Sequence, residues 1–354
     1  MTPLHVGLAG AGGIARYHAN NFRDAGNVTL AAVADVDRSA AEAFAAQYDI
    51  PQVYVDAEQM IAEADLQAIS ICTPDSSHHS IALAALEAGL PVLCEKPLAM
   101  NVAQAREMVA AAERAGVLTA VNFSHRTRPG VQLLHRLISD GYLGEISHFE
   151  ISYLQSWLMF DANLSRPALR WRLDKTIAAA GVLADLGVHI TDMARFLVGE
   201  FAAVCGLVWR DTRERHAGEG GPVVPVTVDE AGAYLAEFAR GATGVFHTSR
   251  VAPGRGDYMR IEVYGHEGSA VFQSDRNDRV LACLGPLQMR RRVFTEYVVQ
   301  EDDLAYKSLI HAFVRNLEGG HIPAPTFADG LRAQEVLEAV LRSAQERRWL
   351  TVGG

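Results

Sequence analysis

Hydrophobic and polar positions alternate in two regimes along the 354-residue chain. In the first third, short apolar runs are separated by segments with helical period. Leu4–Ala9, Val28–Ala34, Ala68–Cys72, Val92–Glu95 and Leu118–Phe123 read as strands. Between them, Arg16–Ala25, Ser39–Tyr48, Ala57–Ala64, Ser80–Ala88 and Val102–Ala115 read as helices, the last two closed by Gly89 and Gly116. Strands alternating with helices predict a parallel sheet covered on both faces.

Past about residue 122 the pattern changes. A helix over Val131–Asp140 precedes a strand over Ile146–Tyr153. An irregular, aromatic-rich stretch, Trp157–Trp171, leads into a helix over Val182–Leu197. Short strands then dominate: Ala202–Trp209, Val226–Phe238, Thr243–Ser249, Met259–Tyr264, Ser269–Gln273, Val280–Cys283 and Arg291–Val299. Tight turns at Arg240-Gly241 and His266-Glu267-Gly268 separate several of them, which predicts one antiparallel or mixed sheet. Gly-rich His216–Pro222 reads as a loop, and helices return at Leu304–Leu317 and Ala328–Gln345. The predicted fold is α/β in two domains, residues 1–122 and 123–354, with the boundary near Asn122–Pro129.

Charge and cysteine usage narrow the function classes. The net charge of −10 disfavours nucleic acid or an anionic membrane as the main partner. The basic run Arg290-Arg291-Arg292 reads as a solvated strand end or an interface. Four scattered cysteines without a CxxC fit reduced thiols in a cytoplasm better than a disulfide frame or a zinc knuckle. No apolar run reaches transmembrane length.

Three motifs carry candidate chemistry. The first strand runs into Gly10-Ala11-Gly12-Gly13-Ile14-Ala15. Gly10 permits a tight turn, and Gly12 lets the backbone approach a pyrophosphate. Ala15 lets helix and strand pack closely, and the helix N-terminus offers N–H groups to phosphates. The second strand ends at Asp35, placed to take a ribose 2′-hydroxyl and to repel a 2′-phosphate, so NAD is the expected cofactor. Arg38 nearby would offset part of that repulsion and leaves NADP possible.

The second motif is Cys94-Glu95-Lys96-Pro97, directly after a strand. Ligands of open α/β sheets bind beyond the carboxyl ends of strands, so Lys96 is placed to polarise a substrate oxygen. Pro97 stiffens the backbone beside it and admits a cis bond. Thr73-Pro74 and His78, after another strand, would line the same edge.

The third is Asp185-Leu186-Gly187-Val188-His189, continuing to Asp192. At helical spacing these three polar residues share a narrow sector. A carboxylate one turn from an imidazole can fix its tautomer and support proton transfer. Two alternatives stay open: a buried Asp–His pair serving packing, with Asp192 bonded to Arg195, or a metal site, although no further ligand cluster has recognisable spacing. Trp171-Arg172, just upstream, would stack and bind charge.

With these motifs in this order, the chain resembles the glucose-fructose oxidoreductase / inositol dehydrogenase / MocA family over nearly its whole length. The resemblance implies an N-terminal Rossmann domain and a C-terminal α/β domain with a large open sheet. That sheet would make a homodimer or homotetramer. It also implies hydride transfer between NAD(P) and a secondary alcohol of a sugar or cyclitol, with no metal. Carried onto this sequence, Lys96, Asp185 and His189 would be catalytic, His189 as general base. Gly10, Gly12, Gly13, Ile14, Asp35, Arg38, Thr73, Pro74, His78, Glu95, Lys96, Asn122, Trp171, Arg172 and Tyr306 would contact the cofactor. Lys96, Arg126, Trp171, Asp185 and His189 would contact substrate. The Gly-rich stretch usual before the Asp–His helix reads Ala179-Ala180-Gly181 here, a mild departure. Relatives that hydrolyse or eliminate glycosidic bonds through transient oxidation, and others that only sense NAD(P), are the competing readings.

Overall fold

The computed structural model describes residues 3–210, 212–300 and 304–353. The chain forms two compact units. The first takes Met1–Phe123, Thr176–Ala179 and Tyr306–Gln334; the second takes Ser124–Lys175, Ala180–Ala305 and Glu335–Gly354. A single cut near residue 122 therefore does not separate them, because two later segments return to the first unit.

The first unit is built on six strands: β1 (Leu4–Ala9), β2 (Val28–Ala34), β3 (Gln52–Tyr54), β4 (Ala68–Ile71), β5 (Val92–Cys94) and β6 (Thr119–Val121). They are parallel throughout and lie in the order β3-β2-β1-β4-β5-β6. The strand order reverses between β1 and β4, the crevice where ligands of this sheet type sit. The helices are α1 (Gly13–Asp24), α2 (Arg38–Tyr48), α3 (Ala57–Glu63), α4 (Asp75–Glu87) and α5 (Val102–Ala115). Asp37, Asp56 and Asn101 cap α2, α3 and α5 through side-chain oxygens. Ala15, Ala19 and Phe22 of α1 pack on Val6 and Leu8, and on Ile310, Phe313 and Val314 of the helix Leu309–Leu317. Burying such a cluster is the main favourable term for the unit.

Local chemistry explains where these elements depart from the sequence expectation. Strand β3 has three residues, too few for a periodicity signal. Helix α4 starts at Asp75, five residues earlier than its apolar pattern, because it opens directly after Pro74. The late helix starts at Leu309 instead of Leu304, where the Ser308 side chain accepts the His311 N–H.

The second unit carries β7 (Ile146–Leu154), β8 (Phe201–Trp209), β9 (Glu214–His216), β10 (Val223–Pro225), β11 (Ala231–Phe238), β12 (Thr243–Ser249), β13 (Tyr258–Gly265), β14 (Gly268–Gln273), β15 (Arg279–Leu284), β16 (Thr295–Val298) and β17 (Leu350–Thr351). Nine of them form one sheet in the order β16-β15-β14-β13-β7-β12-β11-β8-β17, antiparallel except between β7 and β12. Strands β9 and β10 make a separate hairpin. The run expected as one strand over Val226–Phe238 is broken, since Asp229 and Glu230 leave the ladder to bond Gly181 and Arg215. Gly285–Arg291, just before the run expected as a strand over Arg291–Val299, is helical and ends at Arg292 in a left-handed conformation. Only Thr295–Val298 of that run is strand.

One face of the sheet is covered by α6 (Pro129–Ser139) and by the segment Leu183–Leu197. On the other face, alternate residues of β8 and β11 are open. Leu207, Trp209 and Leu235 are exposed by 67, 50 and 48 %.

Candidate active site

In the first unit the parallel register sets the site. Ala9 pairs with Ala34 and Ile71, Ile71 with Cys94, and Cys94 with Val121. The strands thus end in line, and the ladder continues one residue further. Gly10, Cys72, Glu95 and Asn122 donate their N–H groups to Ala34, Ala9, Ile71 and Cys94 at 2.7–2.9 Å. Five of the sequence-predicted elements therefore lie along one edge: the glycine turn, Asp35, Thr73, Glu95-Lys96 and Asn122.

The glycines there are used differently. Gly10 has φ +101°, and a Cβ on it would lie 2.7 Å from the Cys72 carbonyl oxygen. A Cβ on Gly12 or Gly13 would meet nothing within 4 Å. Gly12 caps α1 with no side-chain acceptor, so the open space lies at the free N–H groups of a helix start. Asp35 braces the turn: its Oδ2 accepts from Ala11 N at 2.8 Å and its Oδ1 from Asp37 N at 2.9 Å. Thr73 Oγ1 and Asn122 Oδ1 are buried with no hydrogen-bond partner among the described residues. Buried polar atoms normally have partners. An uncapped helix start, open glycines and these two atoms fit a dinucleotide.

Several expected cofactor contacts have other duties. His78 is fully buried, with Nδ1 2.9 Å from the Pro97 oxygen and Nε2 3.0 Å from the Thr73 oxygen. It ties two loops of the edge together and presents no ring nitrogen to a ligand. Glu95 is likewise buried; its Oε1 receives His18 Nε2 at 2.8 Å and Asn122 Nδ2 at 2.6 Å. Its Oε2 accepts from Lys96 N at 3.2 Å. Lys96 is half-buried, and the Lys96–Pro97 bond is cis. Arg38 pairs with Glu42 on the surface of α2. Such a pair is worth only a few tenths of a kcal/mol and would not hold Arg38 away from a phosphate. Tyr306 lies ahead of the late helix instead of on it. Pro74 and Ile14 are exposed at the edge.

In the second unit, Asp185 sits in a π-helical turn, Leu183–Gly187, that runs into the helix Val188–Leu197 beginning just before His189. A π turn is wider than the α-helical turn assumed from sequence, and such turns recur at functional sites. Asp229 shapes it: its carboxylate accepts from Gly181 N at 3.2 Å and Leu183 N at 3.1 Å. The three polar residues do not share one partner set. Asp192 holds Arg126 in a two-pronged pair, 2.8 and 2.5 Å, while Arg195 bonds Glu200 instead. Two Arg126 nitrogens expected for substrate are thereby committed, and its guanidinium lies over the Phe196 ring. Asp185 lies 3.9 Å from Arg172 Nε and 3.8 Å from Arg250 Nη1. Arg172 stacks on Trp171 at 4.5 Å, as their adjacency suggested. The His189 ring is buried, edge-on to His125 at 4.2 Å and near Tyr153 at 6.1 Å.

Sequence reading missed His18, His125, Tyr153, Asp229, Arg250 and Asp257. His18 had a visible signal: a polar residue within the apolar stripe of Ala15, Ala19 and Phe22. Arg250 is wholly buried at the end of β12, donating to the Arg172 and Asp229 carbonyls. Asp257 accepts from Tyr153, Gln155 and Arg128. Burial pushes the Tyr153 phenol up, and Asp257 adds to the effect. Neither residue is marked by any local pattern. Among the described residues no three His, Cys, Asp or Glu side chains gather as a metal site, and no helix is long and apolar enough to cross a membrane.

Known proteins carry the same two-part organisation. Residues 4–123 match the model of an oxidoreductase family with an NAD-binding Rossmann fold, and residues 131–271 match the GFO/IDH/MocA C-terminal domain. The chain belongs to this oxidoreductase family. It is 31 % identical to levoglucosan dehydrogenase of Pseudarthrobacter phenanthrenivorans, covering 99 % of each chain. It is 28 % identical to inositol 2-dehydrogenase of Rhizobium meliloti, again over 99 % of each. A solved levoglucosan dehydrogenase in complex with NADH and levoglucosan superposes with a TM-score of 0.90 at 30 % identity, covering 99 % of this chain and all of that one.

Proposed function

We propose that this oxidoreductase transfers a hydride between NAD and a secondary alcohol of a sugar or cyclitol. The observation that carries the reading is the row of strand ends holding the open glycine turn, Asp35 and Lys96 on one edge. Relatives named for levoglucosan and inositol supply the substrate class. When bound, NAD supplies the hydride acceptor. Lys96 polarises the substrate oxygen, His189 takes the hydroxyl proton, and Asp185 supports the charge that His189 gains. Trp171 and Arg126 border the substrate. Incubation of the protein with NAD and a panel that includes levoglucosan and myo-inositol tests this through absorbance of NADH. Turnover of a glycoside without net NADH would move the reading to transient oxidation, and no turnover on any member would reject it.

Cofactor choice rests on Asp35, whose carboxylate would repel a 2′-phosphate. Asp35→Ala is expected to lower the ratio of kcat/KM for NAD over NADP by about 10- to 100-fold, the worth of one or two charged hydrogen bonds. An unchanged ratio would remove Asp35 from cofactor selection.

The open sheet face supports self-association, since exposed apolar positions on one surface seldom stay uncovered. Leu207→Asp is expected to convert the assembly to a 38.4 kDa monomer by light scattering. A wild-type protein already monomeric at micromolar concentration would reject that interface. Four free cysteines, three of them buried, favour a reducing compartment.

A further inference from the structure

The second unit holds a carboxylate cluster that the proposed chemistry does not use. Asp257 lies directly before β13, in the loop that follows β12. Its Oδ1 accepts the Tyr153 hydroxyl at 2.5 Å and Gln155 Nε2 at 2.9 Å, and its Oδ2 accepts Arg128 Nη2 at 2.8 Å. Gln155 Nε2 also donates to the Tyr153 oxygen at 3.0 Å. Arg128, just ahead of α6, donates its Nε–H to His125 Nδ1 at 2.7 Å. One carboxylate thus holds a phenol directly and an imidazole through a guanidinium.

Those two rings pack against His189. His125 stands edge-on to His189 at 4.2 Å and 80°, Tyr153 at 6.1 Å and 71°, and the two are edge-on to each other at 5.0 Å and 81°. Edge-to-face contacts are directional, so a ring that turns disturbs the rings around it. A bond to the cluster fixes each wall. The Arg128 guanidinium has no lone pair, so its N–H needs the lone pair of His125 Nδ1. A half-turn of that imidazole would put a carbon there and break the bond. The Tyr153 hydroxyl has an ionised acceptor. Burial would push Asp257 up, but Tyr153, Gln155 and Arg128 outweigh it and hold the carboxyl below its usual range. Hydrogen bonds to an ionised group are about twice as strong as neutral ones.

We propose that Asp257 is a positioning residue: through Tyr153 and Arg128 it fixes the two rings that orient the His189 imidazole for proton transfer. This inference rests on the proposed role of His189. It does not follow from burial, because the Asp257 side chain is 54 % exposed. Removing its carboxylate opens little cavity and releases both rings.

The test reads His189 directly. The chain has 13 histidines, and with 13Cε1-histidine labelling the His189 signal is the one lost in His189→Ala. Spectra of the full-length wild type, Asp257→Ala, Asp257→Asn and Tyr153→Phe are compared above the histidine titration range, so that orientation and not protonation sets the shift. Asp257→Ala is expected to displace the His189 Cε1–H signal, which lies within the ring currents of His125 and Tyr153. Tyr153→Phe frees one wall. Asp257→Asn keeps the volume and an oxygen for Tyr153 but sets an amide N–H against Arg128, so it frees the other. Each should displace the signal by less. In steady state, Asp257→Ala should lower kcat about 10- to 100-fold with KM for NAD little changed, the cost of misplacing a reacting group by about 1 Å. In the His189→Ala background the same change should lower the residual kcat by less than about threefold, because the group it positions is gone. An equal factor in both backgrounds overturns the proposal. So does an unmoved His189 signal in Asp257→Ala, or in Asp257→Asn where the alanine variant does not fold. If the signal moves as expected but the wild type turns over no sugar or cyclitol, the clamp on His189 stands and the dehydrogenase reading falls.

Discussion

His189→Ala is expected to lower kcat about 10³-fold on any accepted sugar or cyclitol, the usual contribution of a positioned general base. NADH affinity, followed by fluorescence titration, should change by less than about threefold, because the cofactor-binding edge belongs to the first unit. Lys96→Ala should cost a similar factor under the proposed mechanism, in which its ammonium stabilises the developing oxyanion. If both side chains act on the same oxygen, the double variant should lose far less than the product of the two factors. Full multiplication in the double variant would mean that they serve separate steps. Undiminished turnover in both single variants would discard the assigned roles altogether. The His189 ring is buried edge-on to His125, so its truncation also costs packing, and thermal unfolding measured alongside separates lost stability from lost chemistry.

Gly181→Ala is expected to be the most damaging single methyl group in the second unit. A Cβ at this position would sit 2.0 Å from the Asp229 carbonyl oxygen and 2.6 Å from its nitrogen. Both obstacles are backbone, so no rotamer relieves them. The crossing is also bonded: Val182 N donates to the Asp229 oxygen at 3.0 Å, and the Asp229 carboxylate holds Gly181 N and Leu183 N. Separating the two chains enough for a methyl group would strain or break those bonds. A loss of about 3 kcal/mol is expected, at the upper end for overpacking. Calorimetry should show the melting temperature lower by roughly 10 °C. Because the π turn carrying Asp185 begins two residues later, kcat should fall as well. A variant as stable and as active as wild type would show that the crossing is looser than its geometry.

This glycine also marks the limit of what local sequence conveys. Ala179-Ala180-Gly181 read as a mild variation on a Gly-rich stretch, and nothing nearby in the chain says which position must lack a side chain. The requirement comes from Asp229, forty-eight residues away. Arg250 and Asp257 are hidden for the same reason. A buried arginine at a strand end looks like any surface arginine until Asp229 and Arg172 supply its acceptors.

The first unit was far more legible. Its parallel sheet, its glycine turn and the residues after each strand could be read from apolar runs and their punctuation. Each βαβ repeat writes strand, turn and helix consecutively, so short-range pattern and three-dimensional neighbourhood coincide. What the pattern could not convey was the difference between lining the edge and bracing it. Glu95 and His78 stand where cofactor contacts were expected, yet their atoms are spent on His18, Asn122, Thr73 and Pro97. Sequence alone therefore determined the family, the strands of the first sheet and the residues that follow them, all of which follow from residue type and spacing. Tertiary structure alone decided which polar groups face each other, because hydrogen bonds and ion pairs are satisfied by neighbours in space, whatever their separation along the chain.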